Sequence, residues 1–274
     1  MVVETRRSRG RPKSNNPHRP AQTVAALDKG LGILKSLAKA GETGLTELAL
    51  ATGNAPSTAH RMLTTFQQHG IVEFREESQT WTIGVEAYRI GTSFSQRTNI
   101  VLAGRPIMRE LMELTGETAN LGIADGGEVV FISQVESRHT IRAFYSTGTR
   151  GPMHTSGIGK ALLAQMPRDQ LEEVLRKTGL PTFTPKSISK PDELFTDLER
   201  IRQRGWSIDD EERNIGMRCL AAPVWNEFGE AIAGLSISGP TDRLNVEKLG
   251  EFGPSVKRAA AKLTEAIGGI SPNS

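Results

Sequence analysis

The sequence predicts an α+β protein of two domains, a winged helix-turn-helix followed by a domain of antiparallel sheet with flanking helices. Three observations predict it. Residues 45–70, LTELALATGNAPSTAHRMLTTFQQHG, read as two short helices around a tight turn. Two apolar runs separated by a polar turn follow within 71–83, the pattern of a hairpin wing. From residue 118 onward, strand-like runs are joined by tight turns and helices come in blocks, as in an α+β domain.

At 274 residues the chain is long enough for two domains with cores of their own. No apolar run approaches the ~20 residues of a membrane span. The basic N-terminus is not followed by a hydrophobic segment, so no secretory signal and no membrane association are expected. A single cysteine, Cys219, excludes an internal disulfide and fits a reducing, cytoplasmic setting. Domain limits are expected at 1–20 for a disordered basic arm, 21–83 for the winged helix-turn-helix, 84–99 for a connecting helix, and 100–274 for the second domain.

The arm lacks apolar periodicity. It carries Arg6, Arg7, Arg9, Arg11, Lys13 and Arg19 against Glu4, a net charge of +5, whereas residues 21–97 balance to zero. Such an arm anchors on DNA by releasing counterions. Its Arg9-Gly10-Arg11-Pro12-Lys13 resembles the core of AT-hook peptides. There the glycine lets the backbone approach a narrow minor groove and the two arginines run along its floor.

The first helix is expected at 23–40, with Val24, Leu27, Leu31, Leu34 and Ala38 as its buried stripe. Thr46 reads as the N-cap of the next helix, with Leu45 and Leu50 stapled around it. Gly53 ends that helix by accepting positive φ, and Pro56 suits the first turn of its successor. In this second helix Ala59, Met62, Leu63 and Phe66 form the core face. Ser57, Arg61, Thr64 and Gln68 lie opposite, flanked by Thr58 and His60, and no acidic residue occurs between Gly53 and Ile71. Hydroxyls, amides and one arginine are groups that meet phosphates and base edges. The DNA-facing residues are therefore expected to be Asn54, Ser57, Thr58, His60, Arg61 and Thr64, with Arg9 and Arg11 from the arm.

Strands at 71–74 and 80–83 form the wing, whose one basic residue, Arg75, sits beside Glu76 and Glu77. A helix at 84–97 has Val85, Ala87, Tyr88 and Phe94 as packing candidates, and another spans 100–115. Strands are expected at 118–124, 128–135, 140–144, 219–225 and 231–238, with hairpin turns at Asp125-Gly126-Gly127 and Glu227-Phe228-Gly229. Helices are expected at 158–165, 168–177, 190–205 and 246–266.

The chain resembles the IclR family of bacterial transcription regulators over nearly its whole length after the arm. The matching stretches include Leu45-Thr46-Glu47-Leu48-Ala49, Ser57-Thr58-Ala59-His60-Arg61-Met62-Leu63, Thr115-Gly116-Glu117-Thr118, His154-Thr155-Ser156-Gly157-Ile158-Gly159-Lys160, Asp209-Asp210-Glu211-Glu212 and Ser236-Ile237-Ser238-Gly239-Pro240. The resemblance implies a GAF-like effector domain and homodimers that pair into tetramers on a double-stranded DNA operator. It also implies a small 2-oxo acid effector held by the amides of Gly157 and Ile158 and by Asp209, Cys219, Ser236 and Ser238. The residues agree physically. Gly157 and Ile158 enter a helix, where free N–H groups favour an anion. Ser236 and Ser238 are two apart on a strand and share a face. A carboxylate beside an anion is unfavourable, so Asp209 is expected to be protonated or to accept a bond from the ligand. The closing segment, through Glu251-Phe252-Gly253, looks most like the glyoxylate-responsive allantoin repressor branch. Glyoxylate is therefore the favoured effector, with pyruvate next.

No catalytic residue, cofactor or metal is expected. An enzyme built on Cys219 with His139 or His154 is a weaker reading, because the histidines are scattered. The segment ending Gly157-Ile158-Gly159-Lys160 fails the phosphate-loop pattern at His154 and Ala161. An architectural DNA-binding protein without an effector is the remaining alternative, and the large second domain argues against it.

Overall fold

The computed structural model describes residues 24–98, 100–140, 142–143 and 145–272, and of 92–98 the backbone alone. Arg9 and Arg11, the side chain of Phe94, and Ile141 and Phe144 lie outside the described residues. The chain divides into two compact units, 1–93 and 94–274.

In the first unit, α1 (Ala25–Ala40), β1 (Glu42–Gly44), α2 (Leu45–Ala51) and α3 (Pro56–Gln68) precede β2 (Val72–Arg75) and β3 (Thr80–Ile83). The strands pair antiparallel in the order β1-β3-β2, and α4 (Val85–Thr98) follows. Its core is Ile33, Leu37, Leu48, Ala49, Ala59, Leu63, Val72 and Trp81. Gly53 and Gly70 end their helices with φ of 62° and 67°, as the turn chemistry requires.

Three expectations fail in this unit. The buried row of α1 is Gly30, Ile33 and Leu37, while Val24, Leu27, Leu31 and Ala38 are exposed and Leu34 is half-buried. Gly30 admits the Phe66 ring, which a Cβ there would meet at 3.0 Å, and this close approach sets the roll of the helix. The N-cap of α2 is Gly44, not Thr46. Gly44 still pairs with Thr80 as the end of β1, so the helix begins at Leu45, and Leu50 is left 84% exposed. Val85 and Tyr88 on α4 are also exposed.

The second unit is a six-stranded antiparallel sheet in the order β6-β5-β4-β9-β8-β7. Its strands are β4 (Thr118–Asp125), β5 (Glu128–Val135), β6 (Arg150–Pro152), β7 (Ser207–Asp210), β8 (Met217–Trp225) and β9 (Ala231–Pro240). Its helices are α5 (Ile100–Thr115), α6 (Gly157–Leu163), α7 (Arg168–Thr178), α8 (Pro191–Arg204) and α9 (Val246–Ala266). The β4–β5 turn puts both Gly126 and Gly127 at positive φ, 62° and 88°, the conformation a two-residue hairpin needs. Pro223 sits in β8 beyond its last pair with β7, at Ala221, so its missing N–H leaves no ladder bond unmade. The edge strands β6 and β7 were not expected, and residues 140, 142 and 143 are not in a strand.

Strand alternation divides the sheet between two cores. Leu220, Ala222 and Val224 of β8 and Ala233, Leu235 and Ile237 of β9 pack with α5 and α9. On the opposite face Val129, Phe131 and Ala221 pack with α6, α7 and α8. Here α6 lies close to the strands because Gly234 has no side chain; a Cβ there would stand 2.7 Å from Cγ2 of Ile158.

Candidate effector site and DNA-facing helix

The residues of β8 and β9 that alternate with the apolar set are Cys219 and Ala221, and Ser236 and Ser238. Register lines them up across four strands. Asp209 pairs with Cys219, Cys219 with Ser238, and Ser238 with Thr118. The neighbouring row runs Ser207, Ala221, Ser236 and Asn120. The two rows make a polar floor facing the start of α6.

Over this floor lies a cavity of about 230 Å³. Gly157, Ile158, Asp209, Cys219, Ser236 and Ser238, scattered through the sequence, all line it. Sequence reasoning missed Phe131, Tyr145, Thr149, Arg150, Thr155, Ser156, Arg213 and Asn214, which complete its wall with Gly151 and Pro152. The Tyr145 ring stacks on Phe131 at 4.5 Å between centroids, closing one side. Tyr145 falls just beyond a segment expected to be a strand, and Arg213 follows the acidic run in a loop. Neither position carries a periodic signal.

The floor is hydrogen-bonded in a chain. Gln134 Nε2 donates to Asn120 Oδ1 at 2.8 Å, and Asn120 Nδ2 donates to Ser238 Oγ at 3.2 Å and Ser236 Oγ at 3.5 Å. Ser238 Oγ in turn donates to Cys219 Sγ at 3.0 Å. At the helix start, the Ser156 hydroxyl accepts from the Gly159 N–H and Ser207 donates to the Gly157 carbonyl at 2.6 Å. The amides of Gly157 and Ile158, in the first turn of α6, make no hydrogen bond among the described residues.

Burial dominates the electrostatics. It pushes the Asp209 carboxyl up to about 6, against the lowering effect of the backbone N–H groups of Glu212 and Arg213 and of the nearby Lys160 ammonium. Burial, and then Asp209, drive the Cys219 thiol far above its ordinary range. The neighbouring sulfur and then burial push the Tyr145 phenol up. A thiol so held is the reverse of an activated nucleophile, and burial lowers the affinity of His154 for a proton. His154 Nε2 lies 3.0 Å from the Pro181 carbonyl, so the ring is engaged with backbone. Among the described residues no three His, Cys, Asp or Glu side chains gather as a metal would need. No helix there is long and apolar enough to cross a membrane.

Asp209→Asn should separate the stability of this site from its use. A native carboxyl raised above its ordinary 3.8 binds protons that the unfolded chain releases, so its contribution declines as pH rises through about 6. The asparagine variant should therefore be more stable than the parent at pH 8, by on the order of 2–3 kcal/mol. At pH 4 the two should differ little. Thermal unfolding at the two pH values measures it, and an equal difference at both would rule out ionisation as the cause.

In the first unit, α3 exposes Ser57, His60 and Arg61, whose side chains make no hydrogen bonds among the described residues. Asn54 is taken up by the turn, donating to Thr52 Oγ1 at 3.0 Å and to the Thr52 carbonyl. Thr64 donates to the His60 carbonyl at 2.9 Å and Thr58 is half-buried. In the wing, Glu42 lies 3.7 Å from Arg75 and accepts from Ser78 and Thr80, so the wing's basic residue already has an acidic neighbour.

Both halves match known families. The IclR helix-turn-helix domain matches residues 26–76, and the C-terminal domain of the bacterial transcriptional regulator IclR matches 92–265. The chain belongs to the IclR family. It is 44% identical to the HTH-type transcriptional regulator BhcR of Paracoccus denitrificans over 267 residues, 96% of this chain and 95% of that one. Identity to the transcriptional repressor IclR of Escherichia coli is 40% over 273 residues, 98% of this chain and all of the repressor. Among solved structures, Thermotoga maritima IclR superposes with a TM-score of 0.75 at 30% identity, covering 88% of this chain and 98% of that one. Membership in the IclR family makes the chain a ligand-responsive transcription regulator and not an enzyme.

Proposed function

We propose that this IclR-family regulator reads a double-stranded operator with α3 and senses a short 2-oxo acid, glyoxylate first and pyruvate next, in the cavity beside α6. The observation that carries the reading is the convergence of Gly157, Ile158, Asp209, Cys219, Ser236 and Ser238 on one cavity. At about 230 Å³ it is smaller than the ~300–1,000 Å³ of pockets for drug-sized molecules, which favours a ligand of few heavy atoms. The carboxylate is met by amides at the start of α6. The hydroxyls of Ser236 and Ser238 serve the oxo or hydrated-oxo group, and Asp209, which holds a proton more readily than an ordinary carboxyl, tolerates the acid beside it.

The working form is a cytoplasmic homodimer, pairing into a dimer of dimers, in which two α3 helices enter successive major grooves. The exposed row Val24, Leu27 and Leu31 is apolar surface for a second copy to cover. The basic arm, with Arg9 and Arg11, reaches the adjoining minor groove. The effector shifts DNA affinity only as far as it prefers one dimer geometry over the other.

Calorimetric titration with glyoxylate, pyruvate, glycolate and oxalate tests the effector. Saturable micromolar binding of glyoxylate ahead of the other three is expected, with at least a tenfold loss in Ser238→Ala. No binding by any of the four would overturn the effector reading and leave the family standing.

A further inference from the structure

Two residues of the cavity wall each carry a buried polar atom without a partner among the described residues. Thr155 is 1% exposed, and its Oγ1 has no hydrogen-bond partner among the described residues. Nη1 of Arg213 is likewise buried without an acceptor. A buried charged donor without an acceptor is costly and uncommon, and at a cavity wall it points to a ligand acceptor.

Among the described residues no carboxylate pairs with Arg213. Asp209 accepts from the backbone N–H groups of Glu212 and Arg213. Glu212 is taken by Lys160 at 2.5 Å. Arg150, the other cation on the wall, is paired with Asp125 and Glu128. Arg213 forms no ion pair among the described residues.

Its orientation is fixed. The guanidinium lies 3.8 Å over the Phe183 ring. The Phe183 N–H donates to Ser187 Oγ at 2.9 Å, and Ser187 Oγ donates to the Glu212 carbonyl at 2.6 Å. Thr184 Oγ1 donates to the Glu211 carbonyl at 2.8 Å. The platform under Arg213 is thus tied to the turn that carries Arg213. With one face stacked, the guanidinium offers its N–H groups edgewise, the geometry that takes a carboxylate.

We infer that Arg213, assisted by Thr155, is the specificity-determining residue of the effector site: it clamps the ligand's carboxylate and makes negative charge a condition of binding. The inference rests on the effector reading above, and it adds a positive charge that the six resemblance-derived positions lack. It also changes the division of labour within the cavity. The amides of Gly157 and Ile158 supply partial charge, whereas Arg213 supplies the one full positive charge that meets the incoming acid.

The test compares each acid with its neutral amide, glyoxylate with glyoxylamide and pyruvate with pyruvamide, by calorimetry on the full-length protein. The parent should prefer the acids by roughly 10- to 100-fold, the range of a charge-assisted hydrogen bond. In Arg213→Gln the acids should weaken until the preference falls within about threefold, while the amides bind as before. Arg213→Lys should recover part of the preference, because charge returns without the fork. Unchanged unfolding temperatures would show that the variants fold. Arg213→Gln retaining the parent's preference, or losing acid and amide equally, overturns the clamp while the effector reading survives. Failure of the parent to bind either acid overturns both together.

Discussion

Lys160→Met should destabilise the second unit by about 3–5 kcal/mol, the cost of breaking a buried ion pair from one side. Lys160 is 1% exposed, and its Nζ lies 2.8 Å from Asp197 and 2.5 Å from Glu212. Burial opposes its charge, but the two carboxylates outweigh that and hold the ammonium above its ordinary pKa. Removing it strands both, and one oxygen of Glu212 already lacks a partner. For a unit of this size the change is roughly 6–20 °C in Tm. Lys160→Met with Glu212→Gln should recover part of the loss, since the more deeply buried of the two stranded charges is removed with its partner. Urea unfolding of the single and double variants measures the cycle. A single-variant loss below about 1 kcal/mol would mean that water already solvates this cluster.

The pH dependence of that loss has a defined sign. Burial raises the Glu212 carboxyl to about 7 even with Lys160 beside it. A carboxyl raised above its unfolded value of 4.5 contributes stability that is present at low pH and lost as pH rises through about 7. Without the ammonium, Glu212 takes a proton still more readily. The deficit of Lys160→Met should therefore be smaller at pH 5 than at pH 8. A larger deficit at pH 5 would contradict the assignment of burial as the dominant effect on Glu212.

Local rules reached some parts of this molecule and not others. The closing helix, 246–266, has the limits its apolar period and flanks predict, and the Gly126-Gly127 turn is where two positive φ angles are required. In both cases one short-range signal suffices. The row chosen for α1 was wrong for a long-range reason: the glycine that admits Phe66 decides which face turns inward. The strands β1, β6 and β7 have three, three and four residues, too few for a period to show, and they exist because a neighbour offers a ladder. Strand alternation alone places the side chains of Ser236 and Ser238 on one face. That Cys219 and Asp209 join them depends on register across three strands. Arg213 had no local signal at all. Its significance comes from an unpaired nitrogen and an aromatic platform, which only a folded chain brings together.

Arg61→Ala should produce the largest drop in DNA affinity. Arg61 is exposed on α3 without a hydrogen-bond partner among the described residues, and it is the one full positive charge on that helix. One arginine bonded to a base edge is worth about 1–3 kcal/mol, and the proposed dimer on two half-sites would forfeit it twice, so roughly 30- to 25,000-fold in affinity is expected. Thr64→Val should cost little by comparison, because its hydroxyl already bonds to the His60 carbonyl. Asn54→Ala should weaken binding indirectly, through the turn it ties to Thr52, and should lower the unfolding temperature as well. Fluorescence anisotropy on operator DNA at several salt concentrations separates base reading from phosphate binding. If Arg61 reads a base, the alanine variant keeps a nearly unchanged salt dependence and relaxes sequence preference at one position of each half-site. If it meets a phosphate, affinity falls alike on all sequences and the salt slope drops by about one for each phosphate no longer neutralised. Unchanged affinity at moderate salt would take α3 out of the major groove and leave the basic arm as the principal anchor on DNA.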